Sequence, residues 1–258
     1  MPVSSRQVLP SGHTIEITTL AERPELARAD IDVGGWSEFM RHNRVSEAYF
    51  WQTLDVFSTT CLVATTADGT VVGDAQAVQL SVGSQGRTRF PPGGWEQAVV
   101  WAFADVRHGV SPDVACALNI SVARDLQGQG VAGLLLAALR DSAAELGLSG
   151  LHAPVRPSRK HLEPRTLMRD YASRTRADGL PFDPWLRTHV RAGGQIVGLA
   201  PTSWVIAGTL EEWREWTGLP FDRSGSIDVP GGLVPVQCDV EADSAVYVEP
   251  NVWVRHRC

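Results

Sequence analysis

No stretch of this sequence approaches the roughly 20 consecutive apolar residues that a membrane-spanning helix needs, so no span is expected. The opening residues, MPVSSRQVLPSGHT, lack the apolar core of a signal peptide. The four cysteines, Cys61, Cys116, Cys238 and Cys258, lie far apart and form no C-x-x-C pair. That removes the usual thiol signature of a metal or redox centre and points to free thiols in a cytoplasmic protein. Positive charge is in short supply as well. With 23 basic against 29 acidic residues the net charge is −6, which excludes general nucleic-acid binding. Repeats and linker-like tracts are also missing, so residues 1–258 are expected to form one domain with a full core.

What is present is clear periodicity. TIEITT (14–19) alternates as a strand. Residues 35–57 carry Trp36, Phe39, Met40, Val45, Tyr49, Phe50, Trp51, Leu54 and Phe57 at helical spacing. CLVATT (61–66) and VVGDAQAVQLSV (71–82), joined across Ala67-Asp68-Gly69, read as a hairpin. A short helix is expected at about 95–107, a strand at 117–122, a helix running to about Leu146, and a second strand, GLHAPV, at 150–155. Residues 156–183 are irregular and basic: Arg156, Arg159, Lys160, Arg165, Arg169, Arg174 and Arg176 face only Glu163, Asp170, Asp178 and Asp183. Trp185–Ala192 reads as a helix closed by Gly193-Gly194. QIVGLA and SWVIAGT then read as paired strands, followed by a Trp-rich helix (LEEWREWTG, 210–218) and an extended segment ending VYVEPNVWV.

The most informative segment is DLQGQGVAGLLLAAL (125–139), which places Gln127-Gly128-Gln129-Gly130 between a strand and an apolar helical run. Glycine costs stability at the start of an element and is tolerated where backbone must come close to something. A strand-to-helix loop of this kind presents unpaired N–H groups and the positive end of a helix dipole, together a site for phosphate oxygens.

The order strand, Gln127-x-x-Gly130-x-Ala132, helix, strand resembles the acyl-coenzyme A motif of the Gcn5-related N-acetyltransferases, Gln/Arg-x-x-Gly-x-Gly/Ala. HVRAGGQIV (189–197) stands where that fold usually has a helix ending in LYxKxGF. The resemblance covers roughly residues 55–200. Four further segments, APVRPSRK, DGLPFDPWLRTHVRAGG, EEWREWTG and VEPNVW, resemble a long subgroup that includes loading domains of polyketide assembly lines, where the fold is reported to decarboxylate malonyl thioesters. The resemblance implies an α/β (α+β) fold with a mostly antiparallel sheet and one splayed parallel pair, 119–122 beside 152–155. Its core would span about 14–200, with a C-terminal extension over about 201–258. It also implies an acyltransferase that uses acetyl-CoA or another short acyl-CoA. The pantetheine arm would lie in the splayed gap against Ile120, Ser121 and Val122. The pyrophosphate would rest on Gln127, Gly128, Gln129, Gly130, Val131, Ala132 and Gly133.

Strand alternation places Leu118, Ile120 and Val122 on one face and Asn119 and Ser121 on the other. In the second strand Leu151, Ala153 and Val155 share a face, leaving His152 and Arg156 opposite, so polar side chains are expected to meet beside the thioester. His152 is the candidate acid–base residue, and Asn119 joins it in the candidate catalytic set. His189 takes the place of the tyrosine that, in many relatives, protonates the departing thiolate. Each histidine has an ordinary alternative, a core or helix-capping role. Cys61 and Cys116 read as small buried apolar residues. The tryptophans 204, 213, 216 and 253 read as core or pocket wall, and the basic run as a solvated face or a cofactor contact. Three functions stay open. The first is acyl transfer to an amine or thiol of a small metabolite or an acyl carrier protein. The second is malonyl-thioester decarboxylation, with Asn119 or Ser121 as donor and His152 as proton source. The third is acyl-CoA sensing without turnover. No nucleic acid, membrane or metal partner is expected, and the acceptor and oligomeric state are not legible.

Overall fold

The computed structural model describes residues 5–34 and 36–258. In chain order its strands are β1 (Ser5–Val8), β2 (Thr14–Thr19), β3 (Cys61–Thr66), β4 (Val71–Leu80), β5 (Val114–Val122), β6 (Gly150–Val155), β7 (Gln195–Gly208), β8 (Gly225–Ile227), β9 (Val236–Asp239) and β10 (Ser244–Arg257). The helices are α1 (Arg44–Val56), α2 (Gly94–His108), α3 (Val131–Glu145), α4 (Met168–Ala172), α5 (Pro184–Arg191) and α6 (Leu210–Thr217). Among the described residues none of these helices is long and apolar enough to cross a membrane.

The strands form one sheet in the order β1-β2-β3-β4-β5-β6-β10-β9-β8, with β7 laid along β10. Its ladders are antiparallel except β5–β6, whose parallel pairing is confined to Ala115–Leu151 and Cys116–His152. The sheet is therefore mixed and mostly antiparallel, as expected. Helix α3 covers one face, where Leu135, Leu136 and Leu139 pack on Ile17, Leu62, Ala115 and Ala117. Helix α2 covers the other, with Ala98 and Ala102 against Val78, Leu80 and Cys116. A separate cluster at the C-terminal end packs Trp213 of α6 against Phe39, Phe221 and Tyr247.

Two expectations are corrected. QIVGLA and SWVIAGT are not a pair of strands but two halves of β7, which runs along β10 from Gln195–Arg255 to Gly208–Ala245. Pro201 reads as a break on paper. Here a register shift between Glu249 and Asn251 absorbs the two prolines, Pro201 and Pro250, that cannot donate to the ladder. The apolar stripe at 35–57 is likewise divided, into a short turn at Glu38–Arg41 and helix α1. Asn43 marks the division: its side-chain oxygen accepts from Ser46 N–H at 2.8 Å as an N-cap, while its amide donates to the Val205 carbonyl at 3.0 Å.

Helix α2 starts against β7. Gly94 has φ +49°, and a Cβ there would lie 2.2 Å from Ser203 Oγ and 2.8 Å from its Cα. Gly94→Ala is therefore expected to cost about 2–4 kcal/mol through strain and overpacking. A thermal melt reads this as a drop of several degrees in Tm; an unchanged Tm would refute this contact.

Candidate active site

The site begins with one extra residue. Gln76 pairs with Asn119 and Ala77 with Ala117, so Leu118 bulges out of the β4–β5 ladder. Its carbonyl accepts from Trp95 Nε1–H at 3.0 Å. The bulge inverts the phase of β5: Ala115 and Ala117 face α3 before it, and Ile120 and Val122 face α3 after it. Leu118 packs instead on the α2 side, which corrects its expected grouping with Ile120 and Val122. Beyond Cys116 and His152 the two strands part. A cleft of about 760 Å³ opens between Asn119–Ser121 on one lip and Ala153–Arg156 on the other, walled by α1, α5, Trp95 and Trp204.

Asn119 and Ser121 do enter this cleft, and they meet a residue that sequence reasoning missed. Asp74 of β4 accepts from Asn119 Nδ2 at 2.6 Å, and Asn119 also donates to Ser121 Oγ at 2.9 Å. Burial pushes the Asp74 carboxyl up to about 6, against the hydrogen bonds from Asn119 and Ser121 that favour its ionised form. A carboxyl of that pKa in a cleft is equipped to accept a proton near neutral pH. A signal was present in the sequence: in GDAQAVQL, Asp74 and Gln76 stand on the face that Val78 and Leu80 continue.

His189 of α5 also lines the cleft. Its Nδ1 lies 3.0 Å from His256 Nε2, which leaves Nε2 as the nitrogen for the cleft. Burial, then the neighbouring His256, pushes the His189 imidazole down to about 3. His152 is placed differently from expectation and does not line the cleft. It pairs with Cys116 where β5 and β6 are still joined, one residue short of the opening, and its ring stacks on Phe90 at 3.8 Å between centroids. Cys61 and Cys116 are buried, and burial pushes both thiols up, Cys61 to about 12, so neither is a thiolate nucleophile.

The basic run is mostly committed to structure. Arg165 pairs with Asp228 at 2.9 Å, Arg174 with Glu163 at 2.8 Å, and Arg169 with Asp170 at 3.0 Å. Lys160, the only lysine in the sequence, is buried and donates to the Glu163 and Leu233 carbonyls at 2.7 and 2.8 Å. Arg156 reaches the cleft, where its Nε–H is shared between both oxygens of Glu249 at 3.0 Å.

The glycine loop leads into α3. Gly128 and Gly130 hold φ of +79° and +88°, and a Cβ at Gly128, Gly130 or Gly133 would meet no atom within 4 Å. Gln127 stitches the loop down, donating to the Val33 and Val122 carbonyls at 2.9 and 3.1 Å. Gly133 gives its N–H to the Gly130 carbonyl at 3.0 Å. Among the described residues the N–H groups of Gly128 and Gly130 and the first helical amides, Val131 and Ala132, have no backbone acceptor. An open backbone at a helix N-terminus fits the phosphates of a coenzyme A. Ile120 and Ser121 border the gap, whereas Val122 is buried under α3.

No protein-family model matches the chain. An arginine N-acetyltransferase of Aspergillus versicolor, avaD, is 31% identical over 280 residues, covering 96% of this chain and 95% of its own. The chain belongs to the Gcn5-related N-acetyltransferase superfamily. It is an acyltransferase of that superfamily, and its fold is shared by solved members. The loading GNAT-like domain of CurA from Lyngbya majuscula superposes with a TM-score of 0.59 at 16% identity, over 94% of this chain and 97% of that one. The GphF GNAT-like decarboxylase, solved with isobutyryl-CoA, gives 0.50 at 17% identity, over 94% and 98%.

Burial also ties this region to pH. The His152 imidazole is pushed from 6.5 down to about 3, first by burial and then by Arg255 and His256. Between those values the unfolded chain takes a proton that the folded chain refuses, so stability is lost as pH falls through 6.5 toward 3. His152→Phe keeps the stack on Phe90 and removes that titration. Its denaturation midpoint is expected to fall less between pH 7 and pH 5 than the parent's. Equal losses would show that His152 is hydrated in the folded protein.

Proposed function

We propose that this acyltransferase moves an acetyl or other short acyl group from coenzyme A to the primary amine of a small cationic metabolite. The name of the relative makes arginine the first acceptor to try. The observation that carries the reading is Asp74, a carboxylate held by Asn119 at the mouth of the splayed strands with a pKa of about 6. When bound, the acyl-CoA supplies an activated thioester carbonyl and a thiolate leaving group.

At neutral pH Asp74 is ionised, attracts an ammonium group and takes its proton, which exposes the nitrogen lone pair for attack. Asn119 and Ser121 hold Asp74 in place. His189 Nε2 faces the cleft from the other side and donates to the departing sulfur in the tautomer in which His256 Nε2–H donates to His189 Nδ1. The amides of Val131 and Ala132 hold the phosphates. The decarboxylation alternative assigns the proton to His152, which does not line the cleft, and the relative's name is that of an N-acetyltransferase, so acyl transfer is the better-supported reading.

Asp74→Asn is expected to lower kcat for L-arginine with acetyl-CoA by about 10²–10⁴-fold, the span of general acid–base catalysis. In the parent, kcat/KM should rise as pH climbs through about 6 and Asp74 ionises, and the variant should lack that limb. Activity that survives Asp74→Asn with its acid limb intact would move the base elsewhere. Separately, Gly130→Val should weaken acetyl-CoA binding by at least about tenfold in calorimetry, because a branched side chain blocks the approach to the helix amides. Unchanged affinity would remove the loop from the coenzyme site.

A further inference from the structure

A second lobe opens off the cleft between Trp36, Ser37, Arg156, Ser158, His161 and Gly231, with a volume of about 290 Å³. Trp36, Arg156 and Ser158 border both lobes. Among the described residues no carboxylate lines the smaller one.

Arg156 spans the two. A guanidinium carries five N–H donors. Arg156 spends its Nε–H on Glu249 and one Nη2 hydrogen on the Gly231 carbonyl at 2.7 Å. Tyr247 also lies within reach of the guanidinium, and beyond Glu249, Gly231 and Tyr247 its remaining donors have no partner among the described residues. The guanidinium is held in position, with Cζ 5.6 Å from the Trp36 ring centre. Glu249 is in the opposite condition. It is 1% exposed and accepts from Arg156, from Tyr247 Oη–H at 2.5 Å and from Asn251 Nδ2 at 3.0 Å. Saturated and covered, Glu249 cannot turn to a ligand, whereas Arg156 can. The Ser158 hydroxyl and the His161 ring, both on this lobe, make no hydrogen bond among the described residues.

We infer that this lobe binds the carboxylate of the acceptor, which makes the acceptor an amino acid rather than the amine left by its decarboxylation. The inference rests on the amine-transfer reading above. The planar guanidinium fork matches a carboxylate and gives charge-assisted hydrogen bonds. Asp74 in the main lobe and Arg156 between the lobes then present the charge pattern of a zwitterion, the ammonium facing the first and the carboxylate the second.

The test compares L-arginine with agmatine, the same molecule without its carboxylate. The full chain is assayed by steady-state kinetics with acetyl-CoA and by calorimetry in the presence of CoA. The kcat/KM for L-arginine is expected to exceed that for agmatine by at least about tenfold, mainly through KM, and Arg156→Gln to collapse the ratio toward one. Arg156→Gln leaves Glu249 buried and short of a donor and can fail to fold. Ser158→Ala and His161→Ala disturb no buried charge, and each should cut the ratio by about two- to tenfold. Equal use of both amines by the parent overturns the inference. So does a preference undiminished in every folded variant, or a loss confined to the KM of acetyl-CoA, which would put a coenzyme phosphate in the lobe. If neither amine is acetylated, calorimetry still decides: binding of L-arginine over agmatine through Arg156 upholds the lobe and sinks the amine-transfer reading. No preference in binding sinks the lobe.

Discussion

One captured carbonyl holds the cleft open. The bulge at Leu118 turns that residue out of the β4–β5 ladder and leaves its half-buried carbonyl in need of a donor. Trp95 supplies that donor with its indole N–H at 3.0 Å. The bonds continue from there: Trp95 N–H donates to Ser203 Oγ at 2.9 Å, Ser203 donates to Asn251 Oδ1 at 2.7 Å, and Asn251 donates to Glu249 at 3.0 Å. Glu249 in turn holds Arg156. A single chain of partners thus runs behind the cleft from β5, through α2, β7 and β10, to the end of β6. The two lips are fixed relative to each other by hydrogen bonds, without needing to pair as strands.

Such a chain is demanding because it is buried. Each member satisfies the next, and removing one leaves a polar group stranded in low dielectric. The packing around it leaves no slack either. Gly94 lies so close to Ser203 that even a methyl group would collide, so the glycine before Trp95 is what lets α2 bring its indole to the bulge. The position of the cleft is therefore decided as much by α2 and β7 as by the strands that form its lips.

This explains which parts of the site could be read from the sequence. The glycine loop, the helix after it and the strands expected at 117–122 and 150–155 were legible because each is specified locally, by periodicity or by glycine, although the first strand begins three residues earlier, at Val114. The bulge was not, since ALNISV alternates without flaw on paper and the extra residue shows only against β4. Asp74 went unread for the same reason: its meaning depends on Asn119, a neighbour 45 residues away. His152 has the right parity but sits where Cys116 still pairs with it, and parity cannot say where two strands part. The division of β7 failed because proline breaks most strands, and only the matching irregularity in β10 rescues this one.

Burial acts on Asp74 and His189 in opposite senses, and the result fits the cationic acceptor proposed above. It raises the Asp74 carboxyl to about 6 and lowers the His189 imidazole to about 3, in each case favouring the uncharged form. At neutral pH only Asp74 of this pair has crossed into its charged form. On the amine-transfer reading proposed above, the incoming ammonium meets the Asp74 carboxylate, and the uncharged His189 ring adds no repulsion of its own. The ring keeps the capacity to hydrogen-bond a sulfur without carrying a charge of its own. Had His189 been exposed, its proton would have competed with the acceptor for the carboxylate. On that same reading, burying His189 against His256 leaves Asp74 available to the acceptor.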